Sequence, residues 1–381
     1  MRPPIIAVAV LLAAGALLGT IAPACAQVVF PMQNPSVRSA GMGGPSAAVV
    51  WSGDLNTWAN PALLGYASGL TLRWSRADLS YSAPPVRFRA GGIEYGWGGL
   101  GVSFREDGIR LDVTLTESFG NPLPSNEVSQ RVRRWGGAIS VSHVLETVLG
   151  DASLPGIVRH ADLALGFARK RGDFRYPYGP GGTGETSGAT DLGLLARVTP
   201  LPETPGRRLF LDLTYGYSVL EEPFYRSTDG ITPEHRRHGI GVRIGRPLAA
   251  GDPAGRGRRL INWLARGAHP SLALTVAADF DRFENPGFFG GWQSRTSRDI
   301  GAELELVNAL AVRFGHIRDE VQDLDSSCFG AGIGVPIAGV MRLRYDYARF
   351  PNGGFGGLDL GELGNRHAVS VWIDPVAMLR Q

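Results

Sequence analysis

From Gly69 to the C-terminus the chain repeats one pattern, segments of about 8–13 residues in which apolar and polar positions alternate, divided by clusters of Gly, Pro, Asn and Asp. In 271–283, Leu272, Leu274, Val276, Ala278 and Phe280 fall on one face and Ala273, Thr275, Ala277, Asp279 and Asp281 on the other. Leu209, Leu211, Leu213, Tyr215 and Tyr217 alternate in the same way with Arg208, Phe210, Asp212, Thr214 and Gly216. A period of two is that of a strand with unlike faces. Grouping the segments predicts strands near 69–82, 86–97, 99–118, 131–143, 159–171, 188–199, 207–219, 236–246, 270–282, 297–306, 310–318, 328–335, 339–349 and 366–374. This count of about fourteen joins 99–105 to 108–118 across Glu106-Asp107-Gly108, a tripeptide that reads equally as a hairpin turn.

A soluble sandwich and a membrane barrel share this alternation. Three features favour an all-β, antiparallel transmembrane barrel. Many segments reach the roughly 9–11 residues with which a tilted strand crosses a bilayer. Their polar faces carry small residues and charges of both signs, as a packed lumen requires. On this pattern Asp279, Asp281, Glu303, Glu305, Arg313, Arg342, Arg344 and Asp346 point inward together. A polar lumen guiding a ligand would use them, and so would mutual ion pairing that holds a filled barrel together, the simpler reading. Thirdly, connectors alternate in length through the C-terminal half, with 307–309 and 336–338 short and 283–296 and 350–365 long. That is the asymmetry of periplasmic turns and extracellular loops. The connector 247–269 breaks it, and its Arg258-Arg259-Leu260-Ile261-Asn262-Trp263-Leu264 reads as an amphipathic rim helix or a surface insertion. Trp74, Tyr81, Trp97, Trp135, Tyr215, Tyr217 and Trp372 are candidates for interfacial girdles, though some of them serve as ordinary packing residues.

Residues 27–68 do not alternate. They are rich in Gly, Ala, Pro and Ser, and too long and apolar for a solvated linker, so they are expected to form a hatch or plug in the barrel mouth. Residues 1–26 read as a cleavable signal peptide, with Arg2 as the basic region, 5–22 as the apolar stretch and Ala24-Cys25-Ala26 as the cleavage site. A retained helix and a lipoprotein signal ending at Cys25 are the competing readings. The expected organisation is signal peptide 1–26, hatch 27–68, barrel 69–374 and tail 375–381.

Composition agrees with this outline. With 53 Gly and 26 Pro among 381 residues a mainly helical protein is excluded, and 44% apolar residues exclude disorder. A mean hydropathy of −0.02 is the average expected of an apolar outer face and a polar inner one. Gly serves both to turn the chain and to spare room on the inward face. The net charge of +3 is spread along the chain, which gives no footprint for nucleic acid. Cleavage after Ala26 leaves Cys328 alone, so no disulfide forms within the monomer.

The run Ser39-Ala40-Gly41-Met42-Gly43-Gly44-Pro45-Ser46-Ala47-Ala48-Val49, followed by Asn60-Pro61-Ala62-Leu63-Leu64, resembles the AxGMGGA…A…NPAxL opening of the FadL/PorV-type outer-membrane proteins. Gly301-Ala302-Glu303-Leu304-Glu305 with Leu310-Ala311-Val312-Arg313-Phe314-Gly315-His316 is similar to that family's GxE…lalRxGy hairpin. Tyr345-Asp346-Tyr347-Ala348 and His367-Ala368-Val369-Ser370-Val371 resemble its finish. Pro45 departs from the usual Ala, and the chain runs on through 374–381, past the aromatic residue at which such barrels usually stop. The resemblance implies a fourteen-stranded barrel of a Gram-negative-type outer membrane with Gly41, Met42, Gly43, Gly44, Asn60, Pro61 and Ala62 as hatch motif. It implies one of two roles. PorV-like members serve secretion and surface attachment of cargo proteins, and the C-terminal motifs look more like that side. FadL-like members move hydrophobic small molecules. A structural barrel and a soluble periplasmic β-protein stand as further alternatives.

Motifs for chemistry are weak. His235 and His238 lie at odd spacing, on opposite faces of a strand, so no metal is expected there. The Gly-rich runs 179–184 and 353–357 lack a phosphate-loop continuation, and no Gly-x-Ser-x-Gly elbow occurs. The expectation is a protein with no catalytic residue and no cofactor, whose partners are outer-membrane lipid and either cargo or secretion-system proteins or a hydrophobic solute.

Overall fold

The computed structural model describes residues 35–51, 55–78, 86–112, 127–150, 160–175, 185–203, 208–222, 234–248, 271–285, 293–307, 309–320, 324–337, 340–351 and 363–378. Fourteen of its elements are strands: β1 Gly69–Asp78, β2 Val86–Trp97, β3 Leu100–Asp112, β4 Glu127–Ser140, β5 Ala161–Arg175, β6 Glu185–Leu201, β7 Phe210–Glu221, β8 Glu234–Pro247, β9 Ser271–Asn285, β10 Gln293–Leu306, β11 Leu310–Asp319, β12 Leu324–Ile337, β13 Met341–Pro351 and β14 Leu363–Ile373. Each pairs antiparallel with its neighbours in sequence, and β1 pairs with β14 to close the barrel. Closure leaves no edge strand unpaired.

Glu106-Asp107-Gly108 continues the ladder of β3 and is no hairpin. The alternation runs through it unbroken. Asp107 turns inward to Arg105 at 2.8 Å, and Glu106 turns outward to Arg133 at 3.1 Å. At the opposite end from these residues, Gly98 and Gly99, with φ of 56° and 85°, make the two-residue turn from β2 to β3. Positive φ at both central positions is the type I′ requirement that glycine meets without strain.

The outward face is apolar on every strand. Leu72, Ile93, Phe104, Ile139, Leu165, Leu192, Leu213, Ile240, Leu274, Leu304, Val312, Phe329, Leu343 and Val369 are all exposed. No helix of the described residues is long and apolar enough to cross a membrane, which bears only on helices.

The inward face is covered by the N-terminal segment. Residues 35–51 and 55–65 are buried throughout. They contain a short helix, α1 (Val37–Gly41), and a 3-10 turn, Pro61–Tyr66. Met42, Val49, Trp51, Leu55 and Leu63 pack on Ala164, Leu195 and Ala277 of the wall. A second cluster sets Val37 and Ala40 against Ile317, Cys328, Ala348 and Phe350. Two further helices lie outside the lumen, α2 (Val141–Leu149) in the β4–β5 connection and α3 (Pro375–Met378) after β14. The signal-peptide region 1–26, the stretch 258–264 and the greater part of the long loops fall outside the described residues.

Candidate functional site: the interior seat of the N-terminal segment

The N-terminal segment lies against a series of directly opposed glycine pairs in the wall. Gly301 of β10 faces Gly315 of β11, and a Cβ on either would overlap the Met42 carbonyl. Gly216 of β7 faces Gly239 of β8, where Ala47 sits. Gly166 of β5 faces Gly193 of β6 beneath Asn60-Pro61-Ala62. Gly96 of β2 faces Gly101 of β3 under Ala67 and Leu64. The segment thus runs round the inside of the wall in descending strand order. Glycine is the one residue that lets a second backbone approach a strand this closely.

The motif residues make the local shape that fits these seats. Ser36 caps α1, its Oγ accepting from Ser39 N at 3.1 Å. Gly43 and Gly44, with φ of 84° and 116°, turn the chain away from α1, and the Ser39 hydroxyl donates to the Gly44 carbonyl at 2.7 Å. Asn60 caps the 3-10 turn, with Oδ1 accepting from Ala62 N at 3.0 Å and Pro61 supplying a fixed φ at the first position. Its Nδ2 donates to Ala47 O at 2.8 Å and to Leu194 O at 3.1 Å, so one side chain ties together two stretches of the segment and β6.

Charge fixes the segment to β9–β13. Arg38, 2% exposed, forks onto Glu303, with Nε at 2.9 Å from Oε2 and Nη2 on Oε1, and its Nη1 donates to the Trp51 carbonyl. Glu303 also accepts from Arg313 Nε at 2.6 Å. Arg313 reaches Asp346 at 2.7 Å, Asp346 accepts from Arg344 Nε at 2.9 Å, and Arg344 lies 3.6 Å from Glu305. This chain of buried groups alternates in sign. Asp279 accepts from the backbone N–H groups of Ser46 at 2.8 Å and Ala47 at 2.9 Å. Beside it Asp281 accepts from Arg237 at 2.8 Å and is 3.0 Å from His235.

Of the charged residues singled out in the sequence, Glu303, Glu305, Arg313, Arg344 and Asp346 therefore meet in one network, while Asp279 and Asp281 form a second group on β9, the strand next to β10. Arg342 shares the inward face of β13, half-buried, with Glu305 as its main charged neighbour. His235 faces inward and His238 outward to the Tyr215 hydroxyl at 2.8 Å. Among the described residues no His, Cys, Asp and Glu group of metal-binding form occurs. Trp372 pairs with inward Thr71 and donates to Ser68 O at 2.6 Å, so it shares the inward face and not the outward one of a girdle.

Sequence reasoning missed Arg38 and the glycine pairs. Arg38 carries one available signal, being the only Lys or Arg in 27–68. The glycines become visible as pairs only when the register is known. Taken together, seats, caps and ion pairs form a device for holding a backbone inside a closed barrel.

No protein-family model and no curated protein sequence matches the chain. Among solved structures it is similar to the toluene transporter TodX of Pseudomonas putida, at 11% identity over 91% of this chain and 100% of that one, with a TM-score of 0.46. It is similar to a Pseudomonas aeruginosa FadL homologue at 11% identity over 92% of this chain and 100% of that one, TM-score 0.41. It is similar also to the CymD monoaromatic hydrocarbon channel at 10% identity over 88% and 95%, TM-score 0.43.

Proposed function

We propose that the protein is a non-enzymatic, FadL-like outer-membrane barrel that passes hydrophobic small molecules, with 27–68 as its hatch and the Arg38–Glu303 contact as the latch. The band of exposed Leu, Ile, Val and aromatic side chains on all fourteen strands supports the membrane placement, since a water-soluble surface does not carry a continuous apolar belt. The hatch reading is carried by one observation, the forked Arg38–Glu303 pair that ties the segment to the wall. With Asn60 and Ala62 at 0% exposure, no solute fits at the seat until the segment shifts. A shift that parts Arg38 from Glu303 would uncover Met42, Trp51, Leu55 and Leu63 together with their apolar partners, a surface suited to an apolar solute. On this reading 1–26 is the export signal and is absent from the mature barrel.

Arg38→Met removes the latch charge while keeping much of the side-chain volume. Cells carrying the variant are expected to accumulate a labelled aromatic hydrocarbon several-fold faster than wild type, with the heat-shifted mobility of a folded barrel unchanged. Equal rates in wild type, Arg38→Met and a barrel-only chain lacking 27–68 would overturn the transport reading.

A second reading, a PorV-type platform for secretion or surface attachment, draws on the same burial. A segment sealed by caps and ion pairs suits a barrel that conducts nothing and presents its loops 172–187, 220–235, 283–296 and 350–365 to cargo. Capture of one secreted protein that depends on those loops, with silent uptake, would favour it.

A further inference from the structure

The outward side of the wall, at the end of the strands away from the Gly98–Gly99 turn, carries arginines set directly opposite one another. Arg76 faces Arg89 across β1 and β2, Arg236 faces Arg282 across β8 and β9, and Arg298 faces Arg318 across β10 and β11. Like charges in direct register repel and destabilise a strand pair. At Arg236 and Arg282 the repulsion is relieved within the protein, because Glu284 lies 3.7 Å from the first and 3.2 Å from the second. Arg298 and Arg318 have no such bridge, and among the described residues neither is in an ion pair. Two carboxylates lie near them without forming an ion pair with either: the charge of Glu320 acts on both arginines, and each carboxylate also holds contacts of its own. Glu320 accepts from the Thr296 backbone N–H at 3.0 Å and its hydroxyl at 2.9 Å, and Asp325, opposite Arg318 on β12, lies 3.0 Å from His316 Nε2.

Below this pair the wall is hollowed. Ala278 is the small residue in a level that otherwise holds Tyr215, Ile240, Ile300 and His316, and with Phe280 and Ile300 it lines a pocket of about 530 Å³ that Arg298 and Arg318 border, with Asp325 and His316 at its side. The Arg298 guanidinium stands 6.0 Å from the centre of the Phe280 ring, held over the apolar floor. Two unbridged guanidinium groups above an apolar hollow on a lipid-facing wall make a site for an anionic lipid, with its phosphate between the arginines and an acyl chain below.

We infer that this pocket binds a phosphorylated, acylated saccharide of the outer leaflet, a lipid A-type headgroup. The choice of leaflet rests on the outer-membrane reading given above, since the short turns at Gly98–Gly99 and 307–309 lie at the opposite end, the periplasmic one in such barrels.

The test uses the purified, folded full barrel in detergent, titrated with diphosphorylated lipid A, with its dephosphorylated form and with phosphatidylglycerol, read by native mass spectrometry. Wild type should prefer diphosphorylated lipid A. Arg298→Ala with Arg318→Ala should weaken that binding by about thirtyfold, at roughly 1 kcal/mol per arginine. The bridged pair, Arg236→Ala with Arg282→Ala, should change it little. Equal binding by wild type and the Arg298/Arg318 variant overturns the site, as does an equal loss in both double variants. Preference for phosphatidylglycerol overturns the saccharide lipid as occupant. Membrane fractionation of cells reads the outer-membrane placement separately, so its failure is distinguishable from failure of the lipid site.

Discussion

Glu303 is 1% exposed and accepts from two arginines of different origin, Arg38 of the N-terminal segment and Arg313 of β11. Glu303→Ala leaves both guanidinium groups short of a partner in a buried place, a loss worth about 3–5 kcal/mol. The urea midpoint of the refolded barrel should fall accordingly, and Glu303→Gln, which keeps one acceptor oxygen, should fall less. Glu106→Ala is the contrast. Its carboxylate is 42% exposed beside Arg131 and Arg133, and such surface pairs contribute at most about 1 kcal/mol, so its midpoint should barely move. At this scale the sequence was half legible. Period two places Glu303, Arg313, Arg344 and Asp346 on one face because each belongs to a strand. Arg38 belongs to a stretch without period, where no pattern says which way a side chain points.

At the scale of elements, the strands were read nearly to their ends, and the errors have a common cause. β4 starts at Glu127 and β12 at Leu324, each four residues before the expected start. Past the apolar band both faces are polar, with exposed Arg131 and Asp325, so alternation fades while the hydrogen-bond ladder continues. The helix α2 went unread because its stability comes from elsewhere in the chain. Ser140 makes no side-chain cap, and the orphan N–H of Ser142 is instead satisfied by Asp162 of β5 at 2.8 Å, whose other oxygen accepts from the Ser140 hydroxyl at 2.7 Å. Gly150, with φ of 77°, ends the helix. Asp162→Ala therefore should loosen α2 by about 1 kcal/mol, the usual value of a cap. Hydrogen exchange should quicken in 141–149 and stay slow in β4 and β5; quickening that spreads along both strands would show that Asp162 holds the wall and not the helix.

For the whole molecule, the order of the chain sets a problem that the glycine pairs solve. The segment that fills the lumen comes first in the chain, yet Glu303 lies 265 residues beyond Arg38, and Ala348 and Phe350, which cluster with Val37 and Ala40, come later still, so its anchors exist together only when most of the barrel has formed. Contacts at such separation form late. Seating is thus a step distinct from closure of the wall, and substitutions on the inward glycines should separate the two. Alanine at Gly301 and Gly315 preserves the β10–β11 ladder, because their Cβ atoms point into the lumen, but overlaps the Met42 carbonyl there. Overpacking of this kind costs about 2 kcal/mol, which raises the unseated population roughly thirtyfold. Trypsin reports that population directly, since Arg38 is the only Lys or Arg in 27–68 and is 2% exposed when seated. Folded wild type should keep its Arg38–Ser39 bond through a limited digest. The Gly301→Ala/Gly315→Ala variant should be cut there while its heat-shifted mobility remains that of a closed barrel. Gly91→Ala, where the nearest atom to the added Cβ is 3.8 Å away, should behave as wild type. Cleavage of wild type at the rate of the double variant would mean that the segment is not held at this seat, and loss of the heat-shifted form would mean that wall and segment fold as one.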